Sequence, residues 1–217
     1  MAKTKITVTK TTTKRARKYH PGTVAKRTAK KLQKSTTFII PKIQFRRVVV
    51  QEIEKEFGDG FRKSKAAMEL LQHATEDYMC SRSGSVKDLL AIGNTKTATI
   101  KNVRIMLKIR DEFQKEMEAD RLVPDFTVDV STGSKRHKKY IDPLYRIPNT
   151  RFKHIFYKAG VLRISAKAIE EYRHLLKAFV NCIVRDALYY SVHAAKRTIS
   201  EDHIKLALEK NGYPIYG

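Results

Sequence analysis

One long apolar stripe constrains the fold of this chain more than any other feature of its sequence. Between Ser165 and Ala195, apolar residues recur at steps of three and four positions, the spacing that lines one face of an α-helix. A helix of about thirty residues is roughly 45 Å long. It cannot cover its own stripe, so the pattern predicts a partner helix of similar length. The stripe consists of Ile169, Tyr172, Leu175, Leu176, Phe179, Val180, Ile183, Val184, Ala187 and Leu188.

The first half of the chain repeats this plan in a weaker form. Thr23 suits the N-cap of a short helix that runs to about Ser35, and Pro41 suits the first turn of the next helix. A long helix is predicted from near Lys65 to Ile92. The apolar positions of these two later helices are Phe45, Val49, Ile53 and Phe57, followed by Ala67, Leu70, Leu71, Ala74, Tyr78, Val86, Leu89, Leu90 and Ile92.

The remaining segments complete a short–long–short pattern that occurs twice. Ser81–Ser85 is a poor helix sequence, but the stripe resumes beyond it, so the long helix is predicted to continue. Another helix is predicted over 100–118, and 119–148 shows no sustained period and is predicted to be a linker. Short helices are predicted over 149–158 and 201–211, on either side of the long one. The fold class is therefore all-α.

Positive charge is concentrated in two blocks. Residues 1–51 contain 15 Lys and Arg and no acidic residue, and 135–217 contain 17 against 7, within a net charge of +23. The segment between them is near balance. A basic arm and a second basic block indicate a polyanionic partner, although a generally basic, soluble surface is the simpler alternative. The first 18 residues have little apolar content and are predicted to form a disordered basic tail.

Several other classes of protein are disfavoured. No apolar run is long enough to span a membrane, and the N-terminus has no apolar signal-peptide core. The two cysteines, Cys80 and Cys182, lie far apart in helical segments, which favours a reducing compartment over a disulfide framework. His73 with Cys80, and His174 with Cys182, lack a third ligand at metal spacing. We therefore expect neither an enzyme nor a metal or cofactor site.

The second half resembles histone H-four. The residues that carry this resemblance are the basic run 135–139, the loop Gly160–Ser165, the segment Val180–Ala187 with Arg185-Asp186-Ala187, His193-Ala194 and the final Tyr216-Gly217.

The first half resembles histone H-three through residues 19–25, Gln33–Thr36, Leu71–Ala74 and Leu89–Ile92. Because eukaryotic histones of these types are separate chains, the fusion resembles the histone doublets of some large DNA viruses.

The resemblance implies four segments and one architecture. Residues 1–18 form the tail, 19–118 an H-three-like fold with an extra N-terminal helix, 119–148 a linker with an H-four-like basic segment, and 149–217 an H-four-like fold. Two such folds interlock in a handshake, which here is intramolecular. The implied register places Arg62 beside Thr198 and Arg163 beside Thr99.

The resemblance also implies a function, which is sequence-independent wrapping of double-stranded DNA, as the histone octamer does. We expect Arg62 and Arg163 to enter the minor groove. A regulatory histone-fold transcription-factor subunit is the alternative. The implied DNA-binding residues are Tyr19, His20, Thr23, Arg27, Lys42, Arg47, Arg62, Lys96, Thr99, Lys153, Arg163, Lys196, Arg197 and Thr198.

Further implied partners are a second copy of the doublet and a doublet or dimer of the H-two-A and H-two-B type, in chromatin or in a viral factory and virion. The implied doublet–doublet interface is Gly93, Arg104 and Leu107, and the partner-histone interface is Tyr190, His193 and Leu206.

This chain also departs from the family pattern. Pro41 replaces an Arg that contacts the minor groove, and a slip in register leaves Arg46 and Arg47 as alternative contacts. The Arg–Asp clamps of the two second loops are replaced by Thr97 with Arg104 and by Lys196 with His203. Two Arg104 side chains across a dimer axis would repel each other unless acidic groups or DNA compensate them.

Overall fold

A computed structural model describes residues 19–20, 22–58, 60–110 and 142–213 of the protein. The tail 1–18, the end of the helix predicted to reach residue 118, most of the linker and the final Tyr216-Gly217 lie outside these ranges. The described residues form seven α-helices, one 3-10 helix and two short strands: α1 (Thr23–Gln33), α2 (Lys42–Phe57), β1 (Arg62–Lys63), α3 (Lys65–Ile92), α4 (Ile100–Arg110), the 3-10 helix (Pro143–Arg146), α5 (Asn149–Ala159), α6 (Ala166–His193), β2 (Thr198–Ile199) and α7 (Glu201–Lys210).

The two long helices, α3 and α6, have the same length of 28 residues and the same start. The Ser64 hydroxyl accepts a hydrogen bond from Ala67 N, and the Ser165 hydroxyl accepts one from Ala168 N. Each serine thus satisfies one of the unpaired N–H groups of a helix N-terminus. The predicted apolar stripe of α6 is confirmed, since all ten of its residues are buried.

Helix α3 continues through Ser81–Ser85, as the apolar stripe predicted. Ser83 is buried, and its hydroxyl donates to Met79 O inside the helix. Arg82 is buried beside Tyr78, over whose ring its guanidinium lies at 4.7 Å. Tertiary packing therefore overrides the weak helix propensity of this stretch. The stripe does not extend to Ile92, whose side chain is 84% exposed.

The loops of the two folds pair with each other through backbone hydrogen bonds. Strand β1 pairs with β2 in parallel, with Arg62 opposite Thr198, and an isolated parallel bridge joins Ala98 to Ile164. The intramolecular handshake is confirmed, and so is the pairing of each first loop with the other fold's second loop. One hydrophobic core runs through both folds, with α3 and α6 at its centre.

A constant offset of 101 residues relates the two folds. It takes Arg62 to Arg163 and Ser64 to Ser165, and it superimposes the bounds of α3 on those of α6. It also relates Asn94 to Ala195, the two non-glycine residues with positive φ among those described, at 48° and 52°. The handshake therefore has a pseudo-twofold axis.

Helix α1 packs against α5 of the second fold, where the Gln33 amide donates to Lys158 O at 3.3 Å. The helix begins after Gly22, whose φ is 86°, so Thr23 is its first residue and the prediction that it is the N-cap is wrong. Pro41 is the N-cap of α2, one position before the predicted first turn.

The end of the predicted linker is packed into the core. Leu144 and Ile147 are buried, and the Arg173 guanidinium donates to both of their carbonyl oxygens at 2.7 Å. The Asp142 carboxylate caps the 3-10 helix by accepting from Leu144 N. The segment is too short and too rich in proline to show an apolar period, so its packing could not be predicted from the sequence.

Candidate DNA-binding face

The first loop pair consists of β1 and β2 and presents polar side chains outward. Arg62 N donates to Arg197 O at 2.8 Å, and Ser64 N donates to Ile199 O at 3.1 Å. Successive residues of a strand point to opposite faces. Ile199 is buried in the core, so the neighbouring Thr198 and its partner Arg62 are exposed on the other face. Lys196 and Arg197, which precede β2, are exposed as well.

The second loop pair joins the two remaining loops. Ala98 N donates to Arg163 O, and Ser165 N donates to Ala98 O, both at 2.9 Å. Ala98 is fully buried, whereas Arg163 and Lys96 are exposed. The two pairs thus present Arg62 and Arg163 at equivalent positions of the pseudo-twofold arrangement.

The register identifies Thr97 as a residue that the sequence analysis missed. Ala98 lies opposite Ile164, so Arg163 lies opposite Thr97, as Arg62 lies opposite Thr198. The predicted partner Thr99 is two positions away. Its hydroxyl donates to the Asn102 carboxamide, and its N–H donates to the same oxygen at 3.0 Å, which caps α4. An Arg-x-Ser sequence precedes both α3 and α6, at an offset of 101 residues. The same offset relates Thr198 to Thr97, so this repeat was the sequence signal that could have identified Thr97.

Three short helices begin without a side-chain cap. Helices α1, α2 and α5 follow Gly22, Pro41 and Pro148, and their first turns contain no acidic residue. Unpaired N–H groups and the helix dipole at such ends favour an anion. In contrast, Ser64 and Ser165 cap the long helices.

The other predicted contact residues are spread over α1, α2 and α5. The Arg27 guanidinium lies 4.4 Å from the centre of the exposed Tyr19 ring. Lys42 pairs with Glu69 at 2.8 Å, a contact that lowers the pKa of this carboxylate. Arg46, Arg47 and His20 are exposed, whereas Thr23 and Lys153 are half-buried.

Two family models match the chain in succession. A model of the core histone H2A/H2B/H3/H4 domain matches residues 21–108. A model of the histone-like transcription factor (CBF/NF-Y) and archaeal histone family matches residues 145–208. The chain carries two histone folds. Together the two matches also support a DNA-binding role of the histone type.

A solved structure shares this architecture. The crystal structure of the histone from Methanopyrus kandleri matches with a TM-score of 0.50, over 78% of this chain and 93% of that chain. The two sequences are 17% identical. The likeness supports the fold of the two histone domains.

The predicted doublet–doublet residues have different environments. Gly93 is exposed, but Leu107 is 4% exposed and belongs to the core of the single chain, so it offers little surface to a second copy. The exposed apolar side chains at this end of the first histone fold are instead Ile92, Ile105 and Ile109.

Glu171 of the second histone fold compensates the positive charge of Arg104. The Arg104 Nε and one terminal nitrogen donate to Glu171 Oε1 at 2.9 and 2.7 Å. In the second loop, Ser200 N donates to His203 Nδ1 in a capping box that begins α7. Both positions where the family has an Arg–Asp clamp thus have other contacts here.

The predicted partner-histone residues lie at the matching end of the second histone fold. Leu206 and His193 are exposed and Tyr190 is half-buried. Tyr189 and Val192, which were not among the predicted residues, are exposed as well.

The described residues provide no group of three or more His, Cys, Asp or Glu side chains that could hold a metal ion. His73 pairs with Asp77 at 2.8 Å, and the Cys182 thiol donates to the Asn211 carboxamide at 3.3 Å. Burial raises the pKa of Cys80, which disfavours its reactive thiolate form. Within the same part of the chain, no helix is long and apolar enough to cross a membrane.

Proposed function

We propose that this protein is a DNA-packaging histone doublet, with an H-three-like fold followed by an H-four-like fold. The observation that carries the proposal is the equivalent placement of Arg62 and Arg163 on two exposed loop pairs. Two arginines at pseudo-equivalent positions can contact a ligand whose negative charges recur along its length. The phosphate backbone of double-stranded DNA is such a ligand. The net charge of +23 supports this polyanionic partner.

The contacts we propose are independent of base sequence. Backbone N–H groups at the starts of α1, α2 and α5, together with lysines and arginines of the loops, bind phosphates. Arg62 and Arg163 insert into the minor groove, as arginines do in the histone octamer. Thr97 and Thr198 lie beside these arginines in the two loop pairs and provide hydroxyl donors for the flanking phosphates.

Covalent linkage contributes to the assembly. Because both folds belong to one chain, their association is intramolecular and occurs at a high effective concentration. The linkage also fixes a one-to-one ratio of the two folds. We further propose that doublets associate with each other through the end that carries Arg104, and with an H-two-A and H-two-B type partner through Tyr190, His193 and Leu206. Such an assembly acts in chromatin or in a viral factory and virion.

Nuclease protection of reconstituted complexes tests this proposal. The full chain is combined with DNA of mixed sequence, with and without the H-two-A and H-two-B type partner, and digested. We expect regularly spaced protection on DNAs of unrelated sequence, and we expect an R62A/R163A double variant to shorten the protected length. One short footprint that depends on the DNA sequence would contradict packaging.

A regulatory transcription-factor subunit is the second candidate. The match of residues 145–208 to a family that includes histone-like transcription factors supports it. Under this alternative, the exposed Tyr189, Val192 and Leu206 dock another regulatory protein, and DNA is held at one site. The single sequence-dependent footprint described above is the result that favours it.

A further inference from the structure

The two loop pairs are not held together in the same way. In the first pair, Arg62 N donates to Arg197 O, and two residue pairs form a ladder. The equivalent atoms of the second pair are Arg163 N and Lys96 O, and no hydrogen bond joins them in the part of the chain that the structure describes. The second pair is a single bridge between Ala98 and Ile164. Backbone pairing alone therefore holds it less firmly.

An ion pair lies directly behind this weaker pair. Helices α4 and α6 start at Ile100 and Ala166, immediately after the bridge, and Arg104 of one helix contacts Glu171 of the other. Both residues lie near the second turn of their helix. The Arg104–Glu171 contact therefore joins the two helices about one turn after the loops that precede them.

The contact is made at one end of the molecule only. Under the 101-residue offset, the counterpart of Glu171 in the first fold is Leu70, and the counterpart of Arg104 in the second fold is Lys205. Leu70 packs partly into the core, and Lys205 instead pairs with Glu201 one turn earlier in its own helix, at 2.9 Å. The first loop pair, which has the longer ladder, thus has no ion pair at the equivalent position.

We propose that the Arg104–Glu171 ion pair holds the second loop pair closed and so positions Arg163, Thr97 and Lys96 toward DNA. Glu171 is 4% exposed, and Arg104 contacts its carboxylate from α4 of the first fold, so the pair crosses between the two helices at a largely buried position, where loss of one partner is destabilising. Arg104 is a positioning residue here and need not touch DNA. The inference rests on the proposed function only for its consequence at DNA, since the closing of the loops is a property of the free protein.

Amide hydrogen exchange of the full chain without DNA tests the closing role. In Arg104→Gln, we expect exchange of the Ala98 and Ser165 amides to become about tenfold faster or more, because local opening exposes both. The Arg62 and Ser64 amides of the first loop pair serve as the internal reference and should not change. Lys205→Gln is the matched control, since it removes the charge at the pseudo-equivalent position, and it should alter neither loop pair.

Two further measurements separate positioning from a general loss of stability. Restoring the pair in reverse, as R104E/E171R, should recover most of the protection at Ala98 and Ser165. The Arg104 side chain is 53% exposed, so raising the salt concentration should partly screen the pair and speed exchange of these two amides in the wild type but not in Arg104→Gln. Unchanged Ala98 exchange in Arg104→Gln, or equal acceleration at both loop pairs and in the core, would overturn the proposal.

Binding to double-stranded DNA of about 150 base pairs completes the test. We expect Arg104→Gln to bind more weakly than Lys205→Gln, with the charge-reversed double variant restored. If wild-type protein does not bind DNA at all, the proposed function fails while the exchange result still stands. If DNA binding is strong but exchange at Ala98 is unaffected by the variant, only the positioning role fails.

Discussion

Tyr78 stacks on Phe179 with ring centroids 4.2 Å apart and planes 12° from parallel. Each ring is the fourteenth residue of its long helix, and the two are counterparts under the 101-residue offset. The pseudo-twofold axis therefore passes by this stack. The ring of Tyr213, which follows α7, meets both of them edge-on at 5.4 and 5.5 Å. The aromatic contact thus joins the two folds and the end of the second one.

Phe179→Ala is expected to destabilise both folds together. The side chain is fully buried, and truncation of a buried phenylalanine to alanine costs about 3–5 kcal/mol in free energy of unfolding. Because the core is shared, denaturant unfolding followed by circular dichroism should show one transition at a lower midpoint. Two separated transitions, with only the second fold weakened, would contradict a shared core.

Arg62→Ala and Arg163→Ala are each expected to weaken DNA binding without a change in stability. An arginine in the minor groove also neutralises neighbouring phosphate charge. Each neutralised phosphate contributes about 0.9 to the slope of log affinity against log salt, so each variant should flatten that slope by about one contact. Titrations at several salt concentrations measure it. Lys205→Ala removes the same charge from α7 and should leave the slope nearly unchanged. An equal effect of all three variants would point to net charge instead of loop geometry.

Thr97→Val and Thr99→Val are expected to differ. Loss of the Thr97 hydroxyl beside Arg163 should reduce affinity for DNA about tenfold or more, since a hydrogen bond to a charged group contributes about 1.5–3 kcal/mol. Loss of the Thr99 hydroxyl should lower the stability of the protein by about 0.5–1.5 kcal/mol, since it removes the hydrogen bond to the Asn102 carboxamide at the start of α4. The affinity for DNA and the free energy of unfolding, measured on both variants, show which threonine contacts DNA. The opposite assignment of effects would favour Thr99 as the DNA contact.

Glu76→Gln is expected to loosen the connection between α1 and α2. The buried Glu76 carboxylate accepts from Ile39 N at 2.8 Å and from Ile40 N at 2.9 Å. An amide presents one acceptor oxygen in place of two, so one buried N–H loses its partner at a cost of about 1–3 kcal/mol. Hydrogen exchange at Ile39 and Ile40 should accelerate. Asp77→Asn, at the exposed neighbouring carboxylate, should have little effect.

The sequence predicted the helices well because their signals are local and repeated. The apolar stripes of α6 and α3 follow from the 3.6-residue period, and Gly58 and Gly212, both with positive φ, lie just beyond the ends of α2 and α7. The loop register could not come from periodicity. It followed from the resemblance to core histones, which gave Arg62 with Thr198 correctly and missed Thr97 as the partner of Arg163.

The contacts that the sequence did not predict are those between distant segments. The packing of Leu144 and Ile147 depends on Arg173, a charged residue in the middle of an apolar helix. The neutralisation of Arg104 depends on Glu171, which lies in the other fold. Neither partner is marked by spacing along the chain, because each pair is brought together only when the two folds interlock.

A dimer of two identical chains must make each contact between its subunits twice, once on either side of the axis. The Arg104–Glu171 contact occurs once, because joining two related halves in one chain lets each half change alone. Apolar side chains differ in the same way, with Ile92, Ile105 and Ile109 at one end and Tyr189, Val192 and Leu206 at the other. The fusion therefore gives the molecule polarity, so that its two ends can recognise different neighbours and set a direction for assembly.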